Sequence, residues 1–357
     1  MRVSCVTPVL LFLVACGPVS QPVDQPTEDV AEPLPTCDPP QAAAVTRLAF
    51  GSCIKPVADE PPWEAILAFL PDLFVFCGDN IYSDTDDPAV IRECYAGLER
   101  REGFRRLREA AAVDAVWDDH DYGRDDAGAE YPAKEASEKI FLDFWRVPVD
   151  SPRRARPGIY GTRWVESHGR RVQLLLLDTR YFRSDRLAPD VNEKGTVLGA
   201  EQWAWLEAEL RKPADLRVLV SSIQVLNDRH EYECWGKFPA ERRRLLELVK
   251  ATGAARTVIV SGDMHICELS RLAGGFGYDA VELTTSGLNV GWPEAPVNPL
   301  RVGGVYLEDN WGTVMVDWDA EPPAVRLCGR AADGKSALTL SMPLAELEVQ
   351  SPASSRR

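Results

Sequence analysis

A chain of 357 residues, 45% hydrophobic and 27% charged, has room for one large α/β domain or two ordinary ones and reads as globular over most of its length. Its formal charge of −15 argues against nucleic-acid backbones as the main partner, because phosphate binding runs on Lys and Arg displacing counterions. Such an acidic balance suits cations better.

Met1 and Arg2 precede the apolar run Val9 to Ala15, which is too short to span a bilayer and reads as an export signal. Leu13-Val14-Ala15-Cys16 resembles the lipobox of bacterial lipoproteins. The expectation is therefore a signal over residues 1–16 ending in a lipidated Cys16, with attachment to the membrane through that lipid only and the protein facing the periplasm or cell exterior. Residues 17–44, rich in Pro, Glu, Asp and Gln, suit a flexible tether. A single domain over 45–345 and a disordered tail over 346–357 complete the expected organisation. After processing, seven Cys remain (Cys37, Cys53, Cys77, Cys94, Cys234, Cys267 and Cys328), an odd number that leaves at least one thiol for another role. No CxxC spacing supports a zinc-finger-like site.

The first strand expected is Val45 to Phe50, ended by Gly51-Ser52-Cys53, which places a thiol where α/β proteins put functional groups; a buried, inert Cys is the other reading. A helix over Trp63 to Leu70 leads into the strand Leu73 to Cys77 and then Gly78-Asp79-Asn80-Ile81-Tyr82. Asp79 is the better ligand candidate there, while Asp84, Asp86 and Asp87 read as a solvated loop; no EF-hand spacing fits. Ile91 to Ala112 reads as one amphipathic helical stretch.

Ala112 to Val116 then delivers Trp117-Asp118-Asp119-His120-Asp121-Tyr122-Gly123. Three carboxylates this close raise one another's pKa unless a cation neutralises them or solvent separates them, so the cluster is either a metal site or a solvated acidic turn. A helix over Lys134 to Trp145 follows, then a basic loop at Ser151 to Gly158 and a continuous apolar strand, Val172 to Leu177, ending in Asp178-Thr179-Arg180. A helix from Gly199 to Leu210 precedes the strand Leu216 to Val220, which ends in Ser221-Ser222-Ile223-Gln224. A helix opening at Pro239 precedes Thr257 to Val260, which ends in Ser261-Gly262-Asp263-Met264-His265. Asp279 to Thr285, Thr313 to Trp318, Ala324 to Leu327 and Ala337 to Leu340 read as strands of a second sheet or the finish of the first.

Six strands thus finish on Cys53, Asp79, Asp119, Asp178, Gln224 and Asp263, and the carboxyl ends of such strands converge on one edge of an α/β sheet. A thiolate and a phenolate favour Fe(III) at one position, and oxygen-rich ligation suits Ca(II) or Mn(II) at another. With each oxygen of Asp79 free to bind one ion, two metals would form a clamp for displacement at phosphorus, and a nearby His would protonate the leaving oxygen.

The motifs GSC at Gly51, GDNIY at Gly78, WDDHDYG at Trp117, LLLLDTRYFR from Leu174, LGAEQWAWL at Leu198, SSIQ at Ser221 and SGDMHICE at Ser261 run in one order from Val45 to about Trp318. Together they resemble the PhoD-like alkaline phosphatases, a branch of the calcineurin-like metallophosphoesterases. The resemblance implies a four-layer α/β/β/α sandwich that hydrolyses phosphate monoesters or diesters with Fe(III) and Ca(II). By motif it implies Cys53, Asp79 and Tyr82 at the iron, Asp119 as a ligand, His120 as proton donor or phosphate contact and Asp121 as its orienter. Asp263 and His265 match the late metal motif, Arg180 a phosphate contact, and Asp178, Gln224 and Asn80 remain candidates for substrate or metal. Longer members carry a β-sandwich domain ahead of the catalytic one, whereas only the short tether precedes Val45 here. Two further readings stay open: a phospholipase-like phosphodiesterase acting on lipid or cell-wall polymer, and a non-catalytic lipoprotein stabilised by metal.

Overall fold

The computed structural model describes residues 44–349 except 57, so the expected signal, lipobox and nearly all of the tether and tail lie outside the described residues. Among the described residues, thirteen strands form two sheets. The first takes β1 (Val45–Gly51), β2 (Leu73–Cys77) and β3 (Ala112–Val116) in parallel from the start of the chain. The second takes the hairpin β4 (Gly161–Ser167) and β5 (Arg170–Leu176), with β6 (Leu216–Ser221) and β7 (Thr257–Ser261) parallel to β5.

The later strands divide between the sheets. β8 (Cys267–Leu272), β9 (Ala280–Thr285) and β10 (Arg301–Tyr306) extend the second, giving the order β10-β8-β9-β7-β6-β5-β4. β11 (Asn310–Asp317), β12 (Ala324–Ala331) and β13 (Ser336–Pro343) return to the first, where β11 pairs antiparallel with β1 and the order is β13-β12-β11-β1-β2-β3. β8 to β10 and β11 to β13 meet face to face.

Helices cover the outer faces. Phe104, from the helix Glu102–Ala110, packs edge-on against Phe76 of β2 and stacks with Phe144 of the helix Lys134–Phe144. On the other sheet, Gln173 of β5 reaches Glu209 of the helix Gly199–Leu210, and Trp203 of that helix donates to Glu241 of the helix Pro239–Ala251. The result is the expected α/β/β/α arrangement. It explains why Leu73-Phe74-Val75-Phe76-Cys77 is apolar at every position: a strand covered on both faces has no solvent side.

Two local expectations change. The stretch expected as one helix from Ile91 to Ala112 is two, Pro88–Arg100 and Glu102–Ala110, because Arg101 takes an extended conformation and sends its guanidinium to Glu60 at 2.9 Å and to the carbonyl of Pro56 at 3.1 Å. The unforeseen strand β4 is only half-buried, so its apolar pattern is weak; it is held by pairing with β5. Among the described residues, no helix is long and apolar enough to cross a membrane.

Candidate metal centre

The loops after β1, β2, β3 and β7 meet at the carboxyl ends of their strands. Gly78 and Gly262 make that approach possible. A Cβ on Gly78 would lie 2.7 Å from the Cβ of Asp118, and one on Gly262 would lie 2.7 Å from both the Cys77 carbonyl and Ser52 Oγ. Backbone strain concentrates here too. Of ten non-glycine residues with positive φ among those described, six (Cys53, Asp79, Asp84, Asp126, Asp263 and His265) belong to this site or its rim.

The first donor group joins Cys53, Asp79 and His265, whose ligand atoms all lie within 4.8 Å of one another. Tyr82 closes it, with its hydroxyl 3.1 Å from both Asp79 Oδ2 and His265 Nε2. The second group is Asp79, Asp119 and His120, so Asp79 is shared; a third is Asp119, Asp126 and Glu233. Asp263 lines the same cavity but enters none of these three groups.

These residues fit a cation on evidence of their own. Asp79 Oδ1, Asp119 Oδ1 and His265 Nδ1 are buried with no hydrogen-bond partner, which is costly for polar atoms that nothing else satisfies. Burial, and then the charges of Asp119, Asp118, Asp121 and Asp263, push the Asp79 carboxyl well above the usual carboxylate range. Burial and then Asp79 likewise raise the Cys53 thiol. Burial also acts to raise Asp119, but Arg180 and then His120 outweigh it and hold that carboxyl down to about 2. A positive ion in either Asp79 group would reverse these penalties and deprotonate its ligands.

The chain WDDHDYG is a one-turn helix, Asp119–Tyr122, rather than a loose acidic turn. Its carboxylates have separate partners, and this corrects the role expected of Asp121. Asp121 does not orient His120. It accepts from the backbone N–H groups of Asp118 at 2.6 Å and Asp79 at 3.3 Å, and from the Asn80 side chain, so it ties the two loops together. Asp84, exposed in a loop as expected, is the residue that meets His120, its Oδ1 lying 2.6 Å from Nδ1, while Tyr82 packs on the same imidazole with ring centroids 4.2 Å apart. Asp118, which had no expected task, accepts from Ser222 Oγ at 2.6 Å and from Arg180.

Arg180 is correspondingly not a residue that a phosphate can reach. It is fully buried and pairs with Asp118 and Glu233, lying 3.6 Å from Asp119. The cation on the cavity wall is Arg186, paired with Asp126. Asp178 and Gln224 also turn inward. Asp178 accepts from Trp117 Nε1 at 2.8 Å and from the N–H groups of Ile159, Arg180 and Tyr181, and Gln224 donates to Glu268 and Thr284. Asn80 serves the scaffold through Val116 and Asp121.

Sequence reasoning missed Asp84, Asp126, Arg186, Glu233, Tyr232 and Trp292. The spacing Arg180, Arg183, Arg186 after a strand end and the acids Glu231 and Glu233 after SSIQ were available as signals. Nothing in the sequence singled out Trp292. The cavity that all the missed residues except Asp84 line holds about 370 Å³, enough for a phosphate ester's reacting end.

A family model described as PhoD-like phosphatase matches residues 60–298. Alkaline phosphatase D of Bacillus subtilis (strain 168) is 27% identical over 124 residues, covering 30% of this chain and 21% of that relative, so the match spans a minor part of its length. A solved structure of PhoD superposes with a TM-score of 0.69 at 18% identity, covering 86% of this chain and 70% of the other. A dimetal phosphatase from Danio rerio gives 0.50 at 12% identity, with 84% and 99% covered. At these identities the two structures show a shared fold.

Proposed function

Because the chain belongs to the PhoD-like phosphatase family, we propose that it is an exported, metal-dependent phosphoesterase acting on phosphate monoesters or diesters. The observation that carries this reading is Asp79, one buried carboxylate shared by two donor groups whose burial and unpartnered polar atoms suit a cation. Cys53, Asp79, Tyr82 and His265 would hold one ion, and Asp79 with Asp119 a second, with Asp263 beside them; by family resemblance these are Fe(III) and Ca(II). When bound, such a pair activates water or hydroxide and neutralises charge developing at phosphorus.

The chain's own residues supply the rest. Asp84 holds His120 Nδ1, Nε2 lies 4.0 Å from Asp125 of the cavity wall, and although burial opposes it, Asp119 and then Asp84 raise the imidazole's proton affinity. It is the proton donor to the leaving oxygen. Asp121 and Asp118, engaged by backbone and by Arg180, keep the ligand loops in place. Export and lipid attachment belong to the same proposal and rest on the N-terminal sequence alone.

Metal analysis of the purified protein, coupled to monoester and diester assays before and after chelation, tests the reading. Bound metal and turnover that disappear on chelation and return with added metal support it; turnover indifferent to metal removal would sink it. The role of Asp84 has its own check. Asp84→Asn is expected to lower kcat about tenfold with little change in KM or metal content, since it loosens the imidazole without touching a ligand. An unchanged kcat would remove Asp84 from the mechanism.

A further inference from the structure

Eight large hydrophobic side chains are exposed among the described residues, and only two of them are aromatic: Tyr232, 47% exposed, and Trp292, 45%. Both line the cavity over the metal centre, and both also line an adjoining groove of about 400 Å³ that continues past Pro296 to the exposed Val297. Their backbones are registered to the centre. Trp292 N–H donates to the His265 carbonyl at 2.9 Å and its ring stands edge-on to the imidazole, with centroids 6.1 Å apart. Tyr232 directly precedes Glu233, which pairs with Arg180 and Arg183. Two aromatic rings held beside a reaction cavity, yet left in water, contribute little to folding and suit a ligand's flat face.

The surrounding polar groups narrow the ligand. Asp125, Glu231 and Glu294 line the cavity and groove, and Arg229 is paired with Asp228, so a second anionic group would meet repulsion. His230 forms part of the groove wall with neither ring nitrogen hydrogen-bonded, and burial, followed by Lys237, keeps it neutral by lowering it to about 4. A neutral imidazole offers one donor and one acceptor. A heteroaromatic edge can pair with one of these, whereas a quaternary ammonium can pair with neither.

We propose that Tyr232 and Trp292 form a subsite for the alcohol side of the ester, and that it takes an uncharged heteroaromatic group of the kind a nucleoside carries. This rests on the phosphoesterase reading and adds a substrate class to it. Stacking on such rings is sequence-tolerant and accounts for about tenfold or more in affinity per ring.

The test compares adenosine 5′-phosphate with glycerol phosphate, two alkyl esters of similar leaving ability, and adds phosphocholine as a cationic arm. The wild type should prefer the nucleotide in kcat/KM. Trp292→Ala should cut the nucleotide-to-glycerol ratio about tenfold, mainly through KM, and Trp292→Phe should restore most of it. Equal loss on both esters would make Trp292 a support for His265 and overturn the proposal, as would a preference for phosphocholine. A wild type that hydrolyses none of the three would exclude monoester turnover and leave the phosphoesterase reading to the diester assay. Calorimetric titration of the metal-loaded protein with adenosine then still decides the subsite: binding weakened by Trp292→Ala upholds it, and no binding rejects it.

Discussion

Asp79→Ala should abolish the centre rather than weaken it. The carboxylate belongs to both donor groups, so its loss leaves Cys53, Tyr82 and His265 on one side and Asp119 on the other with nothing in common. We expect the bound metal to fall by at least one ion per chain and turnover to drop by about a thousandfold or more, since the proposed clamp at phosphorus would need both cations. The stability of the metal-free protein should move the other way. Asp79 is buried among Asp118, Asp119, Asp121 and Asp263, and deleting it relieves like-charge repulsion. Thermal unfolding with and without added metal checks this. The wild type should gain stability with metal and the variant should not, because an ion stabilises only a fold that binds it. A variant that keeps both its metal content and its turnover would remove Asp79 from the site.

The second large effect concerns folding. Arg180→Met should destabilise the protein by about 3–5 kcal/mol, the typical cost of removing one partner from a buried charge pair. Arg180 is fully buried and is the cation beside both Asp118 and Glu233. Its loss strands Asp118, whose carboxyl burial already pushes up to about 6 against the pull of Arg180. Adding Asp118→Asn to Arg180→Met should recover part of the loss, since the two residues share one network. Chemical denaturation of the wild type and the two variants measures it. If Arg180→Met unfolded within about 1 kcal/mol of the wild type while phosphate binding collapsed, Arg180 would be a substrate contact after all, as its motif suggested.

That contrast shows where reading the sequence succeeded. Strands with six polar ends were legible because an apolar run closed by Gly-Asp or Gly-Ser is a local pattern, and Cys53, Asp79, Asp119 and His265 do come together. β4, the break at Arg101 and the return of β11 to pair with β1 were not, since each depends on partners far along the chain. The partner of His120 was misread for the same reason. Asp121 is its sequence neighbour, but a one-turn helix directs that carboxylate back to the amides of Asp118 and Asp79, leaving the imidazole to a residue 36 positions earlier.

The sequence by itself determined which chemical groups were available and the order in which strands deliver them: a thiol, a phenol, carboxylates and imidazoles at the ends of apolar runs. Only the tertiary structure decided which of those groups face the cavity and which face inward. Asp178, Gln224 and Arg180 end strands just as Asp79 and Asp263 do, yet they are consumed by backbone amides and buried countercharges. The physical reason is that a polar side chain's role is set by its nearest partners in space: Arg180 meets Asp118 from the first sheet, while Gln224 meets Glu268 and Thr284 of its own sheet.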